Sequence, residues 1–464
     1  MSLIKSISGI RGTIGGKPGE GLSPLDIVKF TSAYGVWVKQ AFGSSKPIIV
    51  IGRDARLSGE MLSSIVSGTL IGLGINVIDI GLSTTPTVEI AVTELKADGG
   101  IILTASHNPK QWNALKLLNN KGEFISDEEG KYILVLADKE EFTYSDVKDL
   151  GIYSLRDDLI NIHIGKVLAL PYIDVDAITK ANFTVTLDAI NSTGGFIIPL
   201  LLEALGVKKI NKIHCESHGD FAHNPEPLPE HLRDLSAEVL KTRSDIGISV
   251  DPDVDRLALV CEDGEMFGEE YTLVAVADAV LKHHQGGNTV SNLSSTRALR
   301  DITEKIGGKY SASAVGEVNV VNMMKSTNAI IGGEGNGGVI LPEIHYGRDA
   351  LVGIAIFLTH LAKYGKSASM LRKSYPNYYI SKNKIELTPQ INVDKILENI
   401  QEKYKNQPIN TIDGVKIEFE KEWVHLRKSN TEPIIRIYSE SQSLSTADTL
   451  AKKIIEDIKQ LIRN

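Results

Sequence analysis

The sequence predicts an α/β protein built as three consecutive α/β domains with mixed, mostly parallel sheets, followed by a smaller α+β domain. Three observations lead there. At 464 residues the chain exceeds what one hydrophobic core organises. Short β-branched runs alternate with helical periodicity, the βαβ rhythm that implies parallel strands with helices on both faces. That rhythm restarts twice and then gives way to strands that suit an antiparallel sheet.

The elements follow in order. Pro47 to Ile51 is a β-branched run, Glu60 to Leu73 has helical spacing, Ile75 to Ile80 alternates, and a helix is expected over Thr87 to Leu95. The apolar run Gly100-Ile101-Ile102-Leu103 then reads as a strand that ends at Ser106. The second unit begins with strand Phe183 to Asp188, helix Gly195 to Leu205 and strand Asp245 to Val250. The third follows with strand Leu257 to Val260, helix Tyr271 to Lys282 and strand Thr289 to Leu293. The last has strands Tyr378 to Leu387, Val415 to Phe419 and Ile434 to Ser439, and helices Val393 to Tyr404 and Ala447 to Ile462. Polar stretches at Asp149 to Asp157 and Lys366 to Tyr375 suggest boundaries, giving domains over 1–151, 152–257, 258–371 and 372–464.

Composition excludes several functions. A hydrophobic content of 42% with 23% charged residues is that of a globular protein, and no apolar run reaches the roughly 20 residues of a membrane helix. Met1 to Lys5 lacks a signal-peptide core, so a cytoplasmic protein without membrane partners is expected. Cys215 and Cys261 provide no disulfide framework and are expected to be small buried residues. The net charge of -8 disfavours a nucleic-acid surface. An acidic protein holds a phosphate only by concentrating arginine, lysine and backbone N–H groups locally, so its arginines become informative.

Four segments carry the chemistry. Thr104-Ala105-Ser106-His107-Asn108-Pro109 places a hydroxyl at a strand's carboxyl end, where open α/β sheets gather ligands. Asp251, Asp253 and Asp255 sit at every second residue; in an extended segment they would face one side and require a hard cation such as Mg²⁺. Such a triplet is often only a solvated acidic turn, but here a buried-looking strand leads into it and Arg256 closes it. A phosphorylated Ser106 would be a phosphoryl donor, with His107 and Lys116 as candidates to move protons. Glycine-dense Gly333 to Gly338 carries Glu334 and Asn336, an acceptor and an amide suited to vicinal hydroxyls; Glu317 and Arg348-Asp349 are secondary candidates. Arg427, Ser429, Asn430, Thr431 and Arg436 concentrate donors with Glu432 as the one acid among them, which suits a phosphate nest better than a bare hairpin. Arg11 lies between glycines and is a candidate for the transferring phosphoryl, whereas Arg53 with Asp54 is expected to form a supporting ion pair.

Taken together, these segments resemble the α-D-phosphohexomutase superfamily over essentially the whole chain. The resemblance implies four domains in a heart-shaped arrangement and a phosphoserine at Ser106. It also implies Mg²⁺ bound by the seryl phosphate with Asp251, Asp253 and Asp255. Arg11, His107, Lys116 and Arg256 would surround the transferred group, Glu334, Asn336 and Glu317 would bind sugar, and Arg427, Ser429, Asn430, Thr431 and Arg436 would hold the distal phosphate. The implied reaction interconverts hexose 6-phosphate and hexose 1-phosphate through a hexose 1,6-bisphosphate, in a monomer or homodimer. Asn336-Gly337-Gly338 replaces the serine and histidine of many relatives' sugar loops, and Asn113-Ala114 stands where many have Asn-Gly. The variant resembles members assigned to glucosamine phosphate, with phosphomannomutase or phosphoglucomutase activity the alternative. A metal-dependent sugar phosphatase and a non-catalytic sugar-phosphate binder are the competing classes.

Overall fold

The run expected to lead to the serine is strand Gly99–Leu103, buried along its whole length. In the computed structural model, which describes residues 2–6, 9–387, 391–428 and 434–463, it pairs parallel with Ile48–Arg53 and antiparallel with Trp112–Leu118. Period-two alternation sends Ile49, Ile51, Ile101 and Leu103 into a core with Phe30, Tyr34 and Leu70. Val50 and Ile102 go to the opposite face, onto Val88 and Val92. Burial on both faces explains why this strand reads as a continuous apolar run.

The full sheet has seven strands, in the order Leu3–Ser6, Gly9–Thr13, Trp112–Leu118, Gly99–Leu103, Ile48–Arg53, Asn76–Leu82 and Tyr153–Leu155. Its first half is antiparallel. That half was not legible, because Trp112–Leu118 buries Asn113 and Lys116, which break the apolar pattern. The polar stretch expected as a boundary contributes the edge strand Tyr153–Leu155, parallel to Asn76–Leu82. Helix Pro24–Phe42, absent from the sequence reading, has a Ser23/Asp26 capping box, an N-terminal proline and a left-handed Gly43 at its end. Gly99 is required by packing: a Cβ there would lie 2.2 Å from the Tyr34 hydroxyl. That hydroxyl donates to the carbonyls of Gly100 and Leu118, tying the helix to the strand.

The second sheet runs Leu257–Cys261, Ile246–Val250, Thr184–Asp188, Lys209–Ile213. Leu257–Cys261, expected to open the third α/β unit, is instead the antiparallel partner of Ile246–Val250. The six residues between these strands are too few for a parallel crossover. Cys261 is buried, but Cys215 is only half-buried, because it lies just beyond the edge strand.

Two compact units result, Met1–Val280 with Asn336–Leu371, and Leu281–Gly335 with Arg372–Asn464. Within the second, Asn288–Asn292 pairs parallel with Tyr310–Ser313 and Ala329–Glu334. The expected α+β element is an antiparallel sheet of Tyr379–Glu386, Ile434–Ser441, Trp423–Lys428, Val415–Glu418 and Ile409–Asn410. Ile400 of helix Val393–Lys403 and Ile454 and Ile458 of helix Leu444–Arg463 share a core with sheet residues Val424, Leu426 and Ile437. Among the described residues no helix is long and apolar enough to cross a membrane.

Candidate active site

Ser106 lies just past the end of its strand with φ 48°, a left-handed conformation that a non-glycine residue adopts only when its surroundings impose it. The imposing group is Arg56, 1% exposed. Its guanidinium donates to the main-chain carbonyls of Ser106, Asn108, Pro109 and Trp112 at 2.5 to 2.9 Å. Arg56 Nε is held in turn by Asp54 Oδ2 at 3.0 Å. The same oxygen accepts from Thr104 Oγ1 at 2.7 Å, and Thr104 Oγ1 accepts from the Ser106 N–H at 2.9 Å. The expected Arg53–Asp54 pair does not form; Arg53 lies 3.3 Å from Glu60. Asp54 Oδ1 accepts the backbone N–H of Arg56, so the turn itself puts Arg56 beside it.

The Asp251 to Asp255 segment is a turn, not an extended strand, and Val254 has φ 61°. The carboxylates still converge, with ligand atoms within 4.8 Å of one another, and all three residues have no exposure. The turn is fixed from outside: Ser192 and Thr193 hydroxyls donate to the Pro252 carbonyl, and the Thr85 N–H donates to the Asp253 carbonyl. Ser106 Oγ donates to Asp251 Oδ2 at 2.8 Å. Lys116 Nζ lies 2.7 Å from Asp253 and 3.5 Å from Asp255, and Arg348 lies 2.7 Å from Asp255. Burial works against the Lys116 ammonium, but Asp253 and Asp255 outweigh it and push its pKa up to about 12. Burial, with Asp255 and Asp253 beside it, holds the Asp251 carboxyl well above the usual range. Asp253 Oδ1 and Asp255 Oδ1 are buried with no hydrogen-bond partner, costly for carboxylates unless a cation takes them. This oxygen-only set fits a hard divalent ion.

Cationic groups crowd beside the acids. Arg256 NH2 lies 2.8 Å from His107 Nδ1. A guanidinium can only donate, so Nδ1 accepts and the imidazole proton is on Nε2. Burial, then Arg256 and Arg348, holds the His107 pKa well below its ordinary value, with Arg11 adding to the effect. The 3.5 Å Ser106 Oγ–His107 Nδ1 separation is correspondingly long. Arg11 itself is depressed by burial and by Arg256. The Arg256 Nε is a buried donor with no hydrogen-bond partner. Guanidiniums crowded this way favour an anion between them. Behind Arg348 lies a buried chain: His345 touches Glu89 at 2.9 Å and Asp349 at 3.1 Å, and Asp349 also pairs with His163 at 2.8 Å.

In the second unit Glu334 ends its strand, 6% exposed, and its Oε1 accepts from Asn292 Nδ2 at 3.0 Å and the Gly316 N–H at 3.2 Å. Glu317 opens helix Glu317–Thr327, directly after Gly316 at φ 115°. Asn336 belongs to the first unit, half-buried, where its Oδ1 accepts from the Gly338 N–H. Arg427 and Arg436 are cross-strand partners, so both project from one face of the antiparallel sheet. Arg427 Nε lies 2.7 Å from Asp413. Ser429, Asn430 and Thr431 lie outside the described residues. Lys384 is the partner of Arg436 on its other side, giving a row of three cations across three strands. Sequence reasoning missed Lys384, and it missed Arg56 and His345 as supports; the Ser106-loop carbonyls that Arg56 grips, the Glu89 that His345 touches and the Arg436 that Lys384 pairs with are far away in the chain.

Comparisons with known proteins agree along the whole chain. Four family descriptions match in order: Phosphoglucomutase/phosphomannomutase, alpha/beta/alpha domain I at 3–144, domain II at 162–264 and domain III at 268–379, and the C-terminal domain at 386–457. A Thermococcus kodakarensis protein named phosphoglucomutase/phosphomannomutase is 36% identical, over 93% of this chain and 94% of its own. A Sulfurisphaera tokodaii protein named phosphoglucosamine/phosphogalactosamine mutase is 34% identical, over 98% and 100%. The crystal structure of a Burkholderia thailandensis phosphoglucomutase/phosphomannomutase family protein superposes with a TM-score of 0.85 at 25% identity, covering 99% of this chain and 98% of its own.

Proposed function

The chain belongs to the phosphoglucomutase/phosphomannomutase family, the α-D-phosphohexomutases, isomerases that act as phosphotransferases, and we propose that Ser106 is its phosphoryl carrier. The observation that supports this most is the hydroxyl hydrogen-bonded to a buried carboxylate, in a loop whose carbonyls are clamped by a buried arginine. In the proposed cycle the free hydroxyl of a hexose monophosphate attacks the phosphorus of phosphoSer106. The bond to Ser106 Oγ breaks, and a hexose 1,6-bisphosphate forms. The proton leaving the sugar hydroxyl is balanced by one delivered to Ser106 Oγ, a transfer assigned to Lys116. His107, with Nδ1 taken by Arg256, orients rather than shuttles. The bisphosphate then returns its other phosphoryl to Ser106.

Asp251, Asp253 and Asp255, with the seryl phosphate, would hold a Mg²⁺. When bound, that ion neutralises charge on the phosphoryl oxygens. Arg11 and Arg256 hold the transferring group in line, where positioning contributes roughly 7 to 11 kcal/mol of the barrier. Glu334, Asn336 and Glu317 are assigned to the sugar, and Arg427 and Arg436, with Ser429, Asn430 and Thr431, to the phosphate that is not reacting.

For the sugar we favour glucosamine phosphate, supported by the Asn336-Gly337-Gly338 loop and by the name of the Sulfurisphaera tokodaii relative. The name of the Thermococcus kodakarensis relative favours glucose or mannose phosphate instead. Comparing kcat/KM for the 1-phosphates of glucosamine, glucose and mannose separates these readings. The glucosamine ester is expected to lead by at least about tenfold; equal or lower turnover than for the other two rejects it. Stoichiometric release of inorganic phosphate without isomer formation would show a phosphatase.

A further inference from the structure

A second set of metal-type ligands lies in the first unit, outside the constellation around Ser106. Asp188 ends strand Thr184–Asp188, His214 follows strand Lys209–Ile213, and His223 lies in the loop beyond. His214 Nδ1 and His223 Nε2 approach the same oxygen, Asp188 Oδ2, at 3.1 and 3.0 Å. One ligand atom from each residue falls within 4.8 Å of the others. From these residues we infer a binding site for a first-row transition ion of the zinc class, ligated by Asp188 Oδ2, His214 Nδ1 and His223 Nε2.

Four features separate this arrangement from an ordinary His–Asp ion pair. First, both imidazoles turn the same carboxylate oxygen's way, and one oxygen gains little from a second imidazolium that repels the first. A tetrahedral ion with ligands at about 2.1 Å sets neighbouring ligand atoms roughly 3.4 Å apart, a few tenths more than the two N···O separations of 3.1 and 3.0 Å. Second, the remaining nitrogen of His223 has an oxygen partner: Nδ1 lies 2.8 Å from the Asn224 carbonyl, whereas His214 Nε2, 3.9 Å from Asp234, is beyond hydrogen-bond reach. Placing the His223 ring proton on Nδ1 leaves a lone pair on the Nε2 that faces Asp188, the way an outer carbonyl orients a histidine ligand. Third, Asp188 is buried and its other oxygen is taken by the Ile190 N–H, so one oxygen is aimed at the two rings. Fourth, the backbone is held in place at a cost: Ile190, Asn191 and His214 all have φ near 50°. Two nitrogens and one carboxylate suit zinc or its neighbours, whereas the oxygen-only Asp251, Asp253, Asp255 set suits magnesium.

The site would fasten the root of a loop that reaches the serine machinery. Phe221 of that loop lies 5.0 Å from the Arg56 guanidinium, and Glu226 lies 3.8 Å from Arg256.

The test uses the full-length chain loaded with Zn²⁺ in the presence of excess Mg²⁺, desalted, and measured for metal by mass spectrometry. The wild type is expected to keep about one Zn²⁺ per chain. Asp253→Asn is expected to keep it too, whereas His223→Gln and His214→Gln each lower retention at least about tenfold. X-ray absorption of the zinc-loaded wild type needs no variant and is expected to show outer-shell scattering from two imidazoles. Zinc kept by the histidine variants but lost from Asp253→Asn overturns the site, as does an oxygen-only zinc spectrum or no retained zinc.

Discussion

The two ends of the proposed reaction are built differently. Around Ser106 several charged groups are buried and already engaged: Arg56 on four carbonyls, Lys116 on Asp253 and Arg348 on Asp255. At the antiparallel sheet of the second unit, Lys384 and Arg436 are exposed, and Arg427 is half-buried beside Asp413. Burial makes geometry precise, because low dielectric penalises any group that loses its partner. Exposure makes binding adjustable, because screened cations lose little when an anion leaves. A mutase needs both, since one phosphate must be placed for in-line transfer while the other is either of two esters. The first end should therefore control kcat and the second KM.

Ser106→Ala sharpens that contrast most, with mutase kcat expected to fall on the order of 10⁴-fold or more while the fold, followed by circular dichroism, is kept. Removal of divalent cations with a chelator should lower activity by about 10³-fold and added Mg²⁺ should restore it, read in the same steady-state assay. Arg56→Lys keeps the charge but loses the fork that grips several carbonyls. A loss of about 10²-fold in kcat with KM within about threefold is expected, because the serine loop shifts. Arg427→Ala and Arg436→Ala should do the reverse, raising KM about tenfold with little change in kcat. A large kcat loss in those variants would break the comparison.

The smallest effect concerns the scaffold behind Arg348. Burial opposes the His345 imidazolium, but Asp349 and Glu89 outweigh it and raise its pKa from 6.5 to about 10. A raised folded-state value means stabilisation that is complete below pH 6.5 and is lost as pH rises through about 10. Thermal melts between pH 7 and 10 should thus show a falling Tm in the wild type and a flatter profile in His345→Gln.

The sequence exposed what is contiguous. Ser106 and the three aspartates sit in short runs after apolar strands, so the parallel strands leading to them could be read, and with them the candidate residues for the chemistry. Features assembled by tertiary contact could not. Arg56 gained its role only because Thr104 and Asp54 meet across two strands, and the Arg53–Asp54 expectation failed because the turn favours the nearer donor. The strand containing Lys116 was hidden by the lysine itself, which is buried for its carboxylate partners. The Arg427 segment read as a donor-rich turn, yet the cross-strand pairing that aligns Lys384, Arg436 and Arg427 required the register of three strands.

Phosphoryl occupancy of Ser106 tests the central claim most directly. After incubation with a hexose 1,6-bisphosphate and Mg²⁺, peptide mass spectrometry should find one phosphoryl group on Ser106, discharged when glucosamine 6-phosphate is added. An enzyme that interconverts hexose phosphates while Ser106 stays unmodified throughout would contradict the account.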